Sequence, residues 1–348
     1  DLVVRAFGLG EGEGLEGRVL RRREGWASLA REAGLGEGEY RLRLRRALAR
    51  LREARGARVA PDVDTKVLAD WNALAATAFL DGFRCTGDEA LLRTGLETLD
   101  AVWRGGWDGE RLAHVCNGPQ ASACGFLADY AFLARAHWRA YEAAGGRPHL
   151  ERSRALVLSA LRRFFDGDSG LTYDSALGDG PEGLLLPVRD ADDGVLPSAG
   201  AVLAGLLWDW ERLSGEPVFR ESLDLLLRAE SGNLDLRPGA QPLLAAVAAS
   251  RSLPSCEVVV TAPAPCPEAS GMLALARRAV PAGSLVLPLY GEPPGPRDYA
   301  MFEGRRSEGA AKAYLCLGGA CRAPAGSAAE LESLLTAAEE EWRAAWPS

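Results

Sequence analysis

The sequence predicts a mainly α fold, an (α/α)6 toroid of helical hairpins followed by a small C-terminal α/β segment. Helical periodicity of apolar residues dominates residues 40–251. The connections between the predicted helices alternate between tight turns and long segments. After about residue 255 the pattern changes to short apolar strands. We therefore divide the chain into an α/α toroid over residues 1–254 and an α/β segment over residues 255–348.

The helical region is built from hairpins. Its helices are predicted near residues 25–33, 40–55, 65–84, 88–104, 122–143, 148–165, 198–214, 217–230 and 240–251. Tight turns such as TGD (86–88) and SGEP (214–217) join two helices into a hairpin. Long segments, 105–121 and 167–197, separate the hairpins, and loops of that length are usually functional or disordered. In a closed toroid these segments lie on one face, around the mouth of a central funnel.

The C-terminal region alternates strands and helices. Strands are predicted at 256–264, 283–291 and 311–317, and helices at 268–280 and 327–345. The whole pattern indicates a small α/β segment that packs on the toroid.

Composition restricts the class of protein. The chain has 348 residues, is 47% hydrophobic and 25% charged, and carries a net charge of −8. This is the profile of a soluble globular protein, and the acidic balance argues against nucleic acid as a partner. No apolar run approaches the roughly 20 residues that span a bilayer, so we predict no membrane partner and a cytoplasmic location. The sequence lacks an initiator Met, and we expect it to begin inside a longer protein.

Seven cysteines are present, mostly in apolar contexts. The odd number and these contexts favour reduced thiols over a disulfide framework. The closest pair, Cys316 and Cys321 in CLGGAC, is predicted to be a structural turn between two thiols rather than a metal or redox site.

Three acidic residues are the candidate catalytic groups. Asp64 stands where a helix N-cap is expected, and Asp193 belongs to a DDG turn before a helix start, so capping and turn chemistry also explain them. Asp129 lies inside a helix among apolar residues, where burial raises the pKa of a carboxyl group that has no partner. In a toroid, all three lie near the starts of inner helices. Two carboxylates facing each other across a sugar can share the proton transfers of glycoside hydrolysis.

Polar and aromatic residues near the predicted mouth are the candidate substrate contacts. Aromatic rings stack on the apolar faces of sugars, and His114, on a long loop, can reach the funnel. Arg189 can hold a substrate carboxylate or hydroxyl, or pair with Asp190 or Asp192. The predicted substrate-binding residues are Trp71, Asn72, Trp107, His114, Tyr130, Tyr173 and Arg189. The sequence contains no phosphate-cradling glycine loop or HExxH pattern, and we predict neither a metal nor a cofactor.

Four segments in this order resemble a known family. They are DTKVLADWNALAATAFLDG (64–82), GFLADYAFLARAHWRAYEA (125–143), DDGVLPSAG (192–200) and AYLCLGGACRAP (313–324). Together they resemble the thioredoxin-domain-containing family that includes spermatogenesis-associated protein 20. The resemblance implies an N-terminal thioredoxin-like domain, which is missing here, then an (α/α)6 toroid and a small α/β segment. The family's toroid is similar to six-hairpin glycosidases and to N-acylglucosamine 2-epimerase.

The chain departs from the family pattern at three positions of the mouth motifs. Thr65 and Ala128 replace acidic residues, and Gly200 replaces an Asn. The resemblance implies a carbohydrate-active domain, hydrolase-like or epimerase-like, that takes a sugar-like small molecule. The alternative is a non-catalytic ligand-binding or accessory module that partners a thioredoxin-like domain.

Overall fold

The structure, a computed structural model, describes residues 2–9, 21–22, 24–117, 124–177, 188–291, 299–307 and 309–345. The chain divides into two compact units, Asp1–Thr65 and Lys66–Ser348. The predicted division after residue 254 stays a prediction.

The first unit contains three helices, α1 (Leu2–Phe7), α2 (Trp26–Glu32) and α3 (Glu37–Gly56). Its small core contains Leu29, Ala30, Tyr40 and Leu44, among others. The arginines of α3 are exposed, as the amphipathic pattern of that helix predicts.

The second unit begins with seven helices. They are α4 (Ala69–Thr86), α5 (Glu89–Gly106), α6 (Leu127–Ala144), α7 (Arg147–Phe164), α8 (Ala199–Ser214), α9 (Pro217–Leu236) and α10 (Pro242–Ser252). Helices α4/α5, α6/α7 and α8/α9 form hairpins, and α4, α6, α8 and α10 pack side by side. Helices α6 and α8 are buried on nearly every face, whereas α5, α7 and α9 each bury one stripe. This alternation of inner and outer helices is that of an α/α toroid.

Two tight turns close these hairpins as predicted. Gly87 follows α4 with φ 75°, and Gly215 follows α8 with φ 70°. This left-handed backbone favours glycine, which has no Cβ, and it lets the N–H of each glycine bond back to its helix.

The described residues of the α/β segment form four strands and two α-helices. They are β1 (Cys256–Ala262), α11 (Pro267–Ala279), β2 (Leu285–Tyr290), β3 (Lys312–Leu317), β4 (Ala320–Cys321) and α12 (Ala328–Ala344). The strand order is β2-β1-β3-β4, with β2 parallel and β3 antiparallel to β1. Because side chains alternate along a strand, Val259 and Leu287 join the helical core while Val258 and Val260 pack with α11 and α12. The Tyr141 hydroxyl of α6 donates to the Pro288 carbonyl at 2.7 Å.

The predicted class, mainly α with a small α/β segment, is confirmed, and most helix boundaries lie within a few residues of the prediction. Helix α4 begins at Ala69 rather than residue 65, and α6 at Leu127 rather than residue 122; residues 118–123 lie outside the described part. None of the helices in the described ranges combines the length and apolarity that crossing a bilayer requires.

The prediction of reduced thiols was wrong for one pair, because Cys316 and Cys321 form a disulfide. The Gly318–Gly319 turn makes them a directly opposed pair on β3 and β4, which brings their sulfur atoms together. The other five cysteines are free.

A buried ion cluster joins α4 to α6. Glu142, 3% exposed, accepts hydrogen bonds from Trp138 Nε1 at 3.1 Å and Arg139 Nη1 at 2.5 Å. Arg84 Nη1 lies 3.2 Å from the same carboxylate. Burial alone would raise the pKa of Glu142, but Arg139 and Arg84 outweigh it and hold this pKa at about 2.

We expect Glu142→Gln to lower the free energy of unfolding by about 3 kcal/mol at neutral pH, because it removes the buried carboxylate that Arg84 and Arg139 share and leaves them only the half-exposed Asp81. The folded pKa of Glu142 is below its ordinary value of 4.5. The stability it contributes is therefore present above pH 4.5 and lost as the pH falls toward about 2. Thermal unfolding measured between about pH 5 and pH 3 should show a weaker pH dependence in the variant.

The matched control is Glu151→Gln, which removes an exposed carboxylate from an i,i+4 pair with Arg147. It should change the free energy of unfolding by less than about 0.5 kcal/mol. Equal losses in the two variants would contradict the prediction.

Candidate active site

The start of α4 has no side-chain cap of its own. Its N-cap residue is the apolar Leu68, so the prediction of an Asp64 N-cap was wrong. The first N–H groups of the helix donate to acceptors other than an N-cap side chain. Ala69 N–H donates to the His114 carbonyl at 2.9 Å, and Trp71 N–H to Asp70 Oδ1 at 2.7 Å.

The remaining N–H of this turn belongs to Asp70 and donates to Asp129 Oδ1 at 3.0 Å. Asp129 is the third residue of α6, and its Oδ2 accepts from the N–H of the N-cap residue, Phe126, at 2.8 Å. One fully buried carboxylate therefore joins the N-termini of two inner helices. The positive ends of both helix dipoles favour its ionised form.

His114 completes the contacts of Asp129. Its Nδ1 lies 3.0 Å and 3.1 Å from the two carboxylate oxygens. The chain after His114 is fixed, because Val115 bridges Leu68 and Cys116 N–H donates to the Val67 carbonyl. With Nδ1–H donated to Asp129, the neutral ring carries its lone pair on Nε2. The side chain is 23% exposed.

Burial dominates the electrostatics of the cluster. It raises the pKa of Asp129, while the Phe126 N–H and His114 lower that pKa and Asp70 raises it further. Burial, with the charges of Asp129 and Asp70, raises the pKa of Cys116 to about 11. Cys116 is therefore a protonated thiol at neutral pH and not a nucleophile.

Asp70, His114 and Asp129 each offer an atom within 4.8 Å of the others. Such residue types can bind Zn²⁺. However, His114 Nδ1 and both Asp129 oxygens already take part in hydrogen bonds within the protein. The arrangement is that of a hydrogen-bonded acid–histidine cluster.

Two exposed aromatic rings border this cluster. Trp71, 62% exposed, follows Asp70 in α4, and Phe126 is 46% exposed. The Phe126 ring meets the His114 ring edge-on, with centroids 5.2 Å apart. Large exposed aromatic side chains next to polar groups are typical of ligand contacts.

A cavity of about 450 Å³ lies between the inner helices. Leu74 and Phe132, about one turn beyond Asp70 and Asp129 on the same helices, line it. Its wall includes Trp208 and the ion pair between Arg135 and Asp209. This volume is within the range of small-molecule sites.

Of the other two predicted acids, Asp193 has partners at two different helix starts, and Asp64 belongs to the first unit. Asp193 Oδ1 accepts from Ser198 N–H and Oδ2 from Leu243 N–H, both at 2.8 Å. It therefore joins the starts of α8 and α10, as Asp129 joins those of α4 and α6. Asp64 is an exposed residue of the first unit, and its place beside the other acids stays a prediction.

Of the predicted aromatic contacts, two take part in packing. The Tyr130 hydroxyl is buried and accepts from Leu112 N–H at 2.7 Å. Trp107 stacks on Trp103, with centroids 5.2 Å apart, and meets Tyr130 edge-on. Tyr173 is half-buried, and its backbone N–H bonds to the Phe164 carbonyl.

Two of the predicted polar contacts, Asn72 and Arg189, have partners within the protein. The Asn72 amide donates to the Leu68 carbonyl at 2.8 Å. Arg189 forms an ion pair with Glu230, which corrects the prediction of Asp190 or Asp192 as its partner. Asp192 instead pairs with Arg237. The acidic partner of Arg189 comes from α9, which sequence proximity cannot indicate.

Asp70 and Phe126 border the site and were not predicted. Asp70 is the second residue of α4, which begins at Ala69. The signal in the sequence that could have indicated Asp70 was an acidic residue next to a tryptophan at the start of a helix. Only the packing of α4 against α6 brings Asp70 to Asp129.

The class that the fold defines is a mainly α helical-hairpin protein of the toroid type. The chain is similar to spermatogenesis-associated protein 20 of Homo sapiens, with 27% identity over 91% of this chain and 42% of that protein. The Rattus norvegicus protein is 25% identical over 96% of this chain and 45% of its own length. The chain thus spans less than half the length of the curated relatives it matches. These similarities confirm the predicted resemblance. No protein-family model matches the chain.

Similar solved structures cover about half of the chain. One is an inactive variant of an α-1,6-mannanase from Salegentibacter sp. bound to α-1,6-mannotriose. It is 17% identical, with a TM-score of 0.38, and the match covers 48% of this chain and 47% of the mannanase chain. Another is cellobiose 2-epimerase from Spirochaeta thermophila, with 16% identity, a TM-score of 0.40 and coverage of 49% and 44%.

We expect Asp129→Asn to lower the free energy of unfolding by about 2 kcal/mol, because its amide NH₂ must face a backbone N–H that now donates to a carboxylate oxygen. Differential scanning calorimetry measures this loss. The control is Asp100→Asn, an exposed partner of Arg152, which should change stability by less than about 0.5 kcal/mol. A loss no larger than in the control would mean that Asp129 does not join the two helices.

Proposed function

We propose that the second unit is a carbohydrate-active domain in which His114 transfers a proton to or from a sugar. The proposal rests on one observation: the buried Asp129 carboxylate is hydrogen-bonded to His114 Nδ1, and exposed aromatic rings lie next to this pair. A carboxylate in this position holds one tautomer of the ring and stabilises the imidazolium that forms when Nε2 accepts a proton. The proposed ligand is a small reducing sugar, stacked on Trp71 or Phe126.

The proposed chemistry is isomerase-like or epimerase-like. In an open-chain sugar, the carbon next to the carbonyl group is acidic. His114 Nε2 removes its proton, and the electron pair moves toward the carbonyl oxygen to give an enediolate. The hydroxyl proton of the original carbon then passes to that oxygen, and return of the carbon proton from His114 to the former carbonyl carbon isomerises the sugar. Return to the original carbon from the opposite face gives the epimer and needs a second group, for which Asp70 is the candidate.

Glycoside hydrolysis by two carboxylates has less support. Asp129 has no exposed surface, and its oxygens accept from two backbone N–H groups and contact His114. Asp193 is engaged at the starts of α8 and α10. A carboxylate that must approach a glycosidic oxygen needs an accessible oxygen atom.

The alternative is a non-catalytic ligand-binding or accessory module. It is favoured by the structural contacts of Asp129 and Asp193, which each join two helix starts. A thioredoxin-like partner for such a module, and the cytoplasmic location, stay predictions.

The test is solvent exchange at carbon. Reducing mono- and disaccharides are incubated with the protein in D₂O, and proton NMR follows deuterium entry next to the carbonyl group. The parent should catalyse this exchange. His114→Asn should abolish it and keep its fold, because the Asn amide can still donate to Asp129 in place of Nδ1–H while Nε2 is lost. Equal exchange by the two proteins would remove His114 from the mechanism, and no exchange by the parent with any sugar would favour the accessory module.

We expect Trp71→Ala to weaken sugar binding about tenfold, equivalent to about 1.4 kcal/mol, because stacking area is lost. Unfolding of the ligand-free protein should change by less than about 0.5 kcal/mol, since the ring is 62% exposed. Thermal-shift titration measures both quantities. Leu236→Ala, at an exposed apolar residue at the end of α9, is the control and should leave binding unchanged. Unchanged binding in Trp71→Ala would place the sugar elsewhere.

A further inference from the structure

The β3–β4 hairpin carries a disulfide whose two sulfur atoms differ in access. Cys316, on β3, is buried, whereas Cys321, on the two-residue edge strand β4, is exposed. Gly318 and Gly319 form the turn between them, both with positive φ. A reagent in solution can therefore reach the Cys321 sulfur, with Cys316 as the leaving group on the buried side.

A guanidinium group lies against both sulfur atoms. Arg305 Nη2 is 2.9 Å from Cys316 Sγ and 3.4 Å from Cys321 Sγ. The same side chain donates through Nη1 to the Met301 carbonyl, which fixes its direction. The charge of the half-buried Arg305 is therefore held against both sulfur atoms.

A cation at this distance favours the thiolate form of a cysteine. The leaving group of thiol–disulfide exchange is a thiolate, and a stabilised thiolate leaves faster. The opposing charge is Glu257, which pairs with Cys316 in the sheet register. Burial raises the pKa of Glu257, and Arg212 and Arg305 lower it. Arg305 Nη2 is in hydrogen-bond contact with Cys316 Sγ, and a charge at that distance acts strongly on the sulfur atom.

The cross-link has little to contribute to the stability of the fold. It closes a loop with a sequence separation of 5, and the entropy that a disulfide removes from the unfolded chain decreases as the loop shortens. The Gly318–Gly319 turn already directs β4 back along β3. Stability alone therefore does not explain a half-buried arginine that contacts both sulfur atoms.

We propose that Cys316–Cys321 is a redox-active disulfide that accepts two electrons from a dithiol. A thiolate of the dithiol attacks Cys321 Sγ, the sulfur–sulfur bond breaks, and its electron pair moves to Cys316 Sγ beside Arg305. The second thiol of the reductant then attacks the mixed disulfide, and Cys321 leaves with the electron pair and takes a proton. The dithiol becomes a cyclic disulfide, and the protein holds two reduced cysteines.

The experiment titrates the folded full chain with reduced and oxidised dithiothreitol and counts thiols after acid quenching and denaturation. Before reduction the count should be five, from the free cysteines, and after reduction seven. Circular dichroism should be unchanged throughout. A Cys316→Ala, Cys321→Ala double variant fixes the baseline at five.

Arg305→Gln should need about a tenfold higher ratio of reduced to oxidised dithiothreitol at the midpoint, about 30 mV for this two-electron couple. Its initial reduction should also be slower, because the thiolate leaving group loses its cation. Arg305→Lys keeps the charge and is the matched control, expected within about threefold of the parent. Glu257→Gln should shift the midpoint in the opposite direction, which keeps the proposal testable if Arg305→Gln does not fold.

Three results would overturn the proposal. The first is a count of seven thiols in protein purified without reductant. The second is a disulfide that reacts with dithiothreitol only after the chain unfolds. The third is a midpoint that does not change in either Arg305→Gln or Glu257→Gln.

Discussion

A buried carboxylate determines how two of the inner helices, α4 and α6, start. Helix α4 begins after an apolar N-cap, Leu68, so that only Trp71 N–H among its first three has a local side-chain acceptor, Asp70. Asp129, at the third position of α6, accepts from Asp70 N–H of α4 and from Phe126 N–H of its own helix start. Because it also contacts His114, it fixes the loop segment that follows α5. Asp193 does the same for α8 and α10.

The same contacts make the fold and the candidate chemistry depend on one residue. Replacing Asp129 removes a helix acceptor and the group that orients His114, so loss of activity in such a variant cannot distinguish the two roles. His114 is different, because its Nδ1 serves the structure and its Nε2 serves the proposed proton transfer. His114→Asn keeps a donor in place of Nδ1–H and removes Nε2, so it separates the structural role of His114 from the chemical one. Chemistry should therefore be tested at His114 and stability at Asp129.

The fold could be predicted because its signals are local. Apolar periodicity and turns at Gly87 and Gly215 indicated the hairpins with boundaries accurate to a few residues. The site could be predicted only in part. Asp129 stood out as an acid in an apolar helix, but its bond to Asp70 spans 59 residues and depends on how two helices pack. Asp64 was predicted as a local cap of α4, but in the structure Asp129 of α6 accepts a hydrogen bond from the start of that helix. The Gly318–Gly319 turn was visible, yet only strand pairing showed that its flanking cysteines meet.

Alternating charges connect the disulfide hairpin to the wall of the cavity. Glu257, between Arg305 and Arg212, lies 3.9 Å from Arg212 Nη1. Arg212 Nη2 is 2.8 Å from Asp209, and Asp209 is 2.5 Å from Arg135. Each charge in this row stands beside an opposite one, which offsets the cost of burying it. A thiolate at Cys316 would compete with Glu257 for Arg305 and so weaken the first link. The electrostatic effect must decrease along the row, because each further pair screens it. Reduction of the disulfide should therefore perturb Glu257 and Arg212 more than Arg135.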